Sequence, residues 1–189
     1  MWLKRRRRRS AIISLEYINR KQTIRFNLSN GNGLSDVYCV SRFNATNLEI
    51  GKNPNSILNI GMEVLGVTGK PSDTYYVQIF TSDKDQRPWE MTIDNRESQA
   101  RPKKYIGYLA KSKTEYYSIV PVTRLESKNK SGNILMGAIG FEFRNPQGVP
   151  VAAVSKIDNG MVFLGKVSAE ERFLLANACT ALLLQEVIA

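Results

Sequence analysis

The C-terminal stretch constrains the fold more than any other feature. Ser168-Ala-Glu-Glu171 is followed by Arg-Phe-Leu-Leu-Ala-Asn-Ala-Cys-Thr-Ala-Leu-Leu-Leu-Gln-Glu186, and between Phe173 and Leu184 only Asn177 and Thr180 are polar. Ser168 with Glu171 three positions on is a capping box, and Glu170 and Glu171 suit the positive end of a helix dipole. The sequence therefore predicts a helix over residues 169 to 188. A surface helix keeps a broad hydrophilic face, which this one lacks, so burial on all sides is expected. A membrane span takes about 20 predominantly apolar residues. This segment is framed by Glu170, Glu171, Arg172, Gln185 and Glu186, and reads as a core helix.

Upstream, short alternating segments are separated by Gly, Asn, Asp and Pro, the pattern of an antiparallel β domain. Candidate strands are 10–18, 23–28, 37–43, 48–50, 56–67, 75–81, 89–93, 104–110, 116–121, 135–144, 149–157 and 161–167. In Trp89-Glu-Met-Thr-Ile93 and Gly140-Phe-Glu-Phe-Arg144 strict alternation predicts one wet and one dry face. Asn145-Pro-Gln-Gly148 reads as a β-turn, and Asp158-Asn-Gly160 as a hairpin turn in which Asn-Gly takes positive φ. Together they predict a three-stranded meander leading into the helix. The polar runs 81–87, 95–103 and 126–133 read as loops. A sheet in need of apolar cover and a helix in need of wrapping satisfy each other if an antiparallel β-barrel, or a strongly curved sheet, surrounds the helix.

The order Gly148-Val-Pro-Val-Ala-Ala-Val-Ser-Lys156, then Asn159-Gly-Met-Val-Phe-Leu164, then Glu171 to Glu186 resembles the last third of LURP-one-related domains in the tubby-like superfamily. That superfamily also holds the tubby C-terminal and phospholipid-scramblase domains. The resemblance implies a twelve-stranded barrel around a hydrophobic C-terminal helix. It is specific over roughly the last fifty residues; the first hundred match in length and strand rhythm alone. No phosphoinositide-site motif matches residue by residue, so no binding residue is carried over. A different β-rich domain, with its terminal helix on an open sheet or against a partner subunit, is the alternative.

The 189 residues suit one globular, soluble domain, residues 10–189, behind a tail of residues 1–9. The formal charge of +10 is unevenly placed: the tail holds six of the 27 basic residues and none of the 17 acidic, leaving 21 against 17, or +4, for the body. Ala11-Ile-Ile-Ser-Leu15 is too short for the apolar core of a signal peptide before Glu16 intervenes, so an intracellular, cytoplasmic setting is expected. In that setting the glycosylation-like triplets at Asn27, Asn44 and Asn129 carry no meaning, and Cys39 and Cys179 read as buried thiols rather than a disulfide.

Chemistry is narrowed by elimination. Without histidine, Ser-His-Asp and Cys-His nucleophile systems and zincin-type sites are excluded. Two distant cysteines build no thiolate zinc site, and no loop has EF-hand spacing. Gly66-Val-Thr-Gly-Lys-Pro-Ser72 lacks the first glycine of a phosphate loop and has Pro71 in place of the Ser or Thr after Lys70, and Gly31-Asn-Gly33 lacks a third glycine. Both read as turns. Asp83 and Asp85 could pair for acid–base work but lie among Lys84 and Arg87, where solvated charge is the plainer reading. No catalytic residue, cofactor or metal is expected.

What remains is cationic. Lys4, Arg5, Arg6, Arg7, Arg8 and Arg9 repel one another until an anionic surface neutralises them. Trp2 and Leu3 beside them suit a membrane interface. A second basic area, Arg96, Arg101, Lys103, Lys104, Lys111 and Lys113, is interleaved with Tyr105, Tyr108, Tyr116 and Tyr117. These tyrosines could stack on bases or simply pack into the fold. The expectation is a non-enzymatic binding or scaffold protein, peripheral to a membrane, that uses its tail with Arg101, Lys103 and Lys104 to engage anionic lipid or a membrane-associated complex. Nucleic-acid or ribonucleoprotein binding is the alternative.

Overall fold

The computed structural model describes residues 14–18, 21–31, 33–43, 73–82, 87–127, 130–133 and 137–185. Expected strands 48–50 and 56–67 and the turn at Gly66–Ser72 lie outside them, as do Asp83, Asp85, residues 1–9 and the last three residues, 186–188, of the expected helix.

Ten strands form one antiparallel sheet in the order β1 (Ser14–Ile18), β2 (Lys21–Ser29), β3 (Leu34–Phe43), β4 (Thr74–Phe80), β5 (Trp89–Asp94), β6 (Gly107–Ala110), β7 (Tyr116–Val122), β10 (Gly140–Arg144), β11 (Pro150–Ser155) and β12 (Met161–Leu164). Between β7 and β10 the chain steps out into a separate hairpin of β8 (Arg124–Ser127) and β9 (Lys130–Asn133). Neighbours in sequence are thus neighbours in the sheet, the arrangement that antiparallel pairing with short turns favours. The sheet curls into a half-barrel whose edges, β1 and β12, do not pair among the described residues. Of the two expected forms, the strongly curved sheet is the one observed.

Its concave face is apolar. Ile24, Phe26, Val37, Cys39, Tyr75, Val77, Ile79, Met91, Ile93, Leu109, Ile119, Phe141 and Phe143 form one core with the C-terminal helix, α2 (Ala169–Leu184). Alternation holds in β10, where Phe141 and Phe143 are buried and Glu142 and Arg144 are half-buried. It fails in β5. Glu90 faces outward yet is buried, and its Oε1 accepts a 2.5 Å hydrogen bond from the Tyr76 hydroxyl, so the buried polar group has a partner.

Helix α2 runs against β3, β4, β11 and β12. Leu175, Ala178, Cys179 and Leu182 are 0% exposed, and no residue from Phe173 to Gln185 is fully exposed. Phe173, Ala176, Thr180 and Leu183 form the least covered stripe and are half-buried. Such a helix must find partners for its terminal backbone groups. At its start the capping box is complete: Glu171 N–H donates to Ser168 Oγ at 3.2 Å and Ser168 N–H to Glu171 Oε2 at 3.1 Å. At its end the Ala181 carbonyl accepts from the Tyr75 hydroxyl at 2.7 Å. Lys156 Nζ reaches the Gln185 carbonyl at 3.4 Å and brings positive charge to the negative end of the helix dipole. In mid-helix, Ser35 Oγ donates to Asn177 Oδ1 at 2.7 Å, and Asn177 Nδ2 donates to the Phe173 carbonyl. The helix is therefore indexed against the sheet by polar contacts as well as by packing.

Both predicted turns form. Asn145 Oδ1 accepts from the backbone N–H groups of Gln147 and Val149, and Gly148 takes φ 77°. In the second turn the positive φ values fall on Asp158 (53°) and Gly160 (75°), so the glycine of the Asn-Gly pair takes positive φ as expected while Asp158, not Asn159, is the other residue that does. Gly31, at φ 86°, turns β2 into β3, as expected for that glycine pair. Cys39 and Cys179 are free, buried thiols, each pushed up to about 12 by burial.

Two expected loops are structured. Residues 95–103 open with a helix, α1 (Asn95–Ala100), whose N-cap Asp94 accepts from Glu97 N–H at 2.9 Å. Of the second, residues 126–127 lie in β8 and 130–133 in β9, a strand pair with no apolar alternation to announce it. Two expected strands begin late. Lys104 to Ile106 are turn and coil ahead of β6, and Ile139 precedes the first residue of β10.

Candidate functional site

Of the nine residues expected to meet an anionic partner, Lys4, Arg5, Arg6, Arg7, Arg8 and Arg9 lie outside the described residues. Arg101, Lys103 and Lys104 stand together and exposed on the connection from α1 to β6. That corner is held by its backbone. Arg101 N–H donates to the Glu97 carbonyl at 2.9 Å, and the Arg101 carbonyl accepts from Lys104 N–H at 2.9 Å and Tyr105 N–H at 3.0 Å. Two overlapping turns thus fix where the three cations project.

The corner is tied to the rest of the molecule at four points. Asp94 N–H donates to the Tyr105 hydroxyl at 2.6 Å. Ala138 N–H donates to Gln99 Oε1 at 2.8 Å. Asn95 N–H donates to the Asp73 carbonyl at 3.0 Å, and Gln185 Nε2, just past α2, donates to Asn95 Oδ1 at 2.8 Å. The surface cations therefore sit on a support continuous with the buried helix.

Charge is weakly compensated here. Glu97 approaches Arg101 at 3.6 Å, with both side chains substantially in water, so the pair contributes little. Arg96 adds a fourth exposed cation, and Asp94 and Glu97 are the two acidic residues between positions 94 and 106. Beside the cations stands Ile106, 44% exposed, one of the few large apolar side chains turned to solvent. Sequence reasoning missed it, because a single isoleucine before a short strand carries no mark of exposure.

The basic area read from sequence as one patch is divided. Lys111 and Lys113 lie in the β6–β7 turn, at the far end of β6 from Arg101, Lys103 and Lys104. Four residues of strand at ~3.4 Å each put about 14 Å between them. The interleaved tyrosines also part company. Tyr105 is partly buried with its hydroxyl engaged, and burial holds that hydroxyl above its ordinary pKa. Tyr117 is buried and donates to Glu171 Oε1 at 3.0 Å. Tyr108 and Tyr116 pair at 6.1 Å between ring centroids and are half-buried. Glu170 and Glu171 do capping work, as expected, and Glu171 is held below its ordinary value first by the Ser168 N–H and then by the Tyr117 hydroxyl.

Among the described residues no group of three His, Cys, Asp or Glu side chains is placed to hold a metal ion, and no helix is long and apolar enough to cross a membrane. No family model, curated protein or solved structure matches the chain.

Proposed function

We propose that this protein is a non-catalytic binding and assembly protein of tubby-like type. It docks on an anionic membrane surface, or on a complex held there, through the α1–β6 corner, with the tail of residues 1–9 as a second electrostatic contact. The observation that carries this reading is the corner itself: Arg101, Lys103 and Lys104 exposed on a hydrogen-bonded backbone, with Ile106 beside them. Cations flanking an exposed apolar side chain suit a lipid interface, where the charges meet headgroups and the apolar group enters the acyl boundary. Nucleic-acid binding would draw on aromatic platforms, and two of the four nearby tyrosines are committed to internal hydrogen bonds.

At about 1 kcal/mol per cation near an anionic surface, the three corner residues contribute roughly 3 kcal/mol, or about a hundredfold in affinity. Co-sedimentation of the full chain with vesicles of phosphatidylcholine alone, or with added phosphatidylserine, tests this. Binding is expected only to the anionic vesicles. It should fall about a hundredfold in Arg101→Gln/Lys103→Gln/Lys104→Gln and fall again on deleting residues 1–9, with larger losses at low salt, where screening is weaker. A chain that ignores anionic vesicles but binds RNA or DNA with a steep salt dependence would replace this reading with the nucleic-acid one.

A further inference from the structure

Strand β12 ends the sheet among the described residues, and its outer edge is complementary to itself. Gly165 N–H donates to the Val151 carbonyl at 2.8 Å, so in the ladder with β11 the backbone groups of Met161, Phe163 and Gly165 turn inward. By the alternation of antiparallel pairing, those of Val162 and Leu164 turn to the open edge, which has no partner strand among the described residues. Edge strands are ordinarily protected by a charged side chain, a proline or a bulge. Met161-Val-Phe-Leu164 has none of these, and Met161 and Phe163 are 56% and 53% exposed on the convex face. Charge stands only at the two ends, as exposed Asp158 and exposed Lys166, neither of them ion-paired among the described residues.

We infer that β12 pairs antiparallel with β12 of a second copy of this chain, about a twofold axis at Val162. In that register Val162 meets Val162 through outward-turned backbone groups on both chains. Met161 of each copy lies opposite Phe163 of the other on one face, giving two sulfur–aromatic contacts. Asp158, in the turn that leads into β12, and Lys166, just past the end of β12, lie beyond the paired residues, and the antiparallel arrangement brings the Asp158 end of each copy to the Lys166 end of the other, so the symmetry sets opposite charges together twice. Centring the axis on Met161, Phe163 or Leu164 sets neither the charges nor the four exposed apolar side chains against each other. The register at Val162 satisfies both, and a continuous sheet across two half-barrels results.

Sedimentation velocity of the full chain over a range of concentrations tests this by charge exchange. Wild type should show a concentration-dependent dimer. Asp158→Lys and Lys166→Asp should each weaken it roughly tenfold or more, because each sets like charges together twice. The double variant should restore it, and an equimolar mixture of the two single variants should form the heterodimer. Phe163→Asp should yield a folded monomer with the circular-dichroism spectrum of wild type, since that side chain is outside the core. A chain that is monomeric at every concentration overturns the inference. So does a dimer indifferent to Phe163→Asp and to both charge reversals.

Discussion

Replacing Leu182 with alanine probes the packing of α2 against the concave face of the sheet. The side chain is 0% exposed, in the half of α2 held by the Tyr75 hydroxyl on the neighbouring Ala181 carbonyl. Removing three carbons forfeits about 2.4 kcal/mol of transfer free energy at ~0.8 kcal/mol per methylene. The cavity adds to that, because a helix indexed to the sheet at Asn177, Ala181 and Gln185 cannot slide to fill it. The total should approach 4 kcal/mol, within the roughly 2–5 kcal/mol range of buried leucine truncations. For a domain of this size that is a fall in melting temperature of about 10 °C. Leu183→Ala, one position along on the half-buried stripe, is the internal control and should cost about half as much. Thermal and urea unfolding of both variants beside wild type make the comparison. Equal losses at the two positions, or an unchanged melting temperature for Leu182→Ala, would refute the enclosed-helix reasoning.

Other outcomes follow from single contacts. Gly140→Ala would press its new Cβ on the Val154 carbonyl oxygen across the β10–β11 pair and should cost about 1–3 kcal/mol by overpacking, measured by urea unfolding; Gly33→Ala, with nothing nearer than 3.9 Å, should be close to neutral. Glu171→Gln should be less stable than wild type at neutral pH. The lowered folded value of Glu171 contributes stability above its ordinary value near 4.5, and that contribution is lost as pH falls through the folded value, so the gap should close on acidification; a gap independent of pH would count against the charged capping box. Cys39 and Cys179 should resist thiol reagents in the folded chain and react on unfolding, as titration with a chromogenic disulfide would show.

Features with a local physical cause were legible in the sequence. The capping box at Ser168 and Glu171, the near absence of polar residues after Phe173, and the turns at Asn145 and Asp158 all concern residues a few positions apart. They predicted α2 and the β10–β12 meander. Helix α1 had a similar mark, Asp94 with Glu97 three positions later, but its six residues, five of them polar, carry no apolar stripe and read as loop. The β8–β9 hairpin escaped for the complementary reason: Arg124-Leu-Glu-Ser127 and Lys130-Ser-Gly-Asn133 have no alternation from which to read a buried face. Arg101, Lys103 and Lys104 were identified as a group, whereas their separation from Lys111 and Lys113 depends on the length of β6. The contacts that hold the corner and the helix join residues far apart in the chain: Ser35 with Asn177, Tyr75 with Ala181, Asn95 with Gln185. No spacing rule reaches that far. The fold selects those partners by bringing the concave face of the sheet onto α2.

Whether the α1–β6 corner meets lipid can be read at Ile106. Because both native cysteines are buried thiols, an Ile106→Cys chain should accept an environment-sensitive fluorophore at that one position. Emission should shift to the blue on adding phosphatidylserine-containing vesicles, stay unchanged with phosphatidylcholine alone, and return toward its starting value in Arg101→Gln/Lys103→Gln/Lys104→Gln. A probe that ignores anionic vesicles, or that shifts equally with RNA, would contradict a membrane-facing corner.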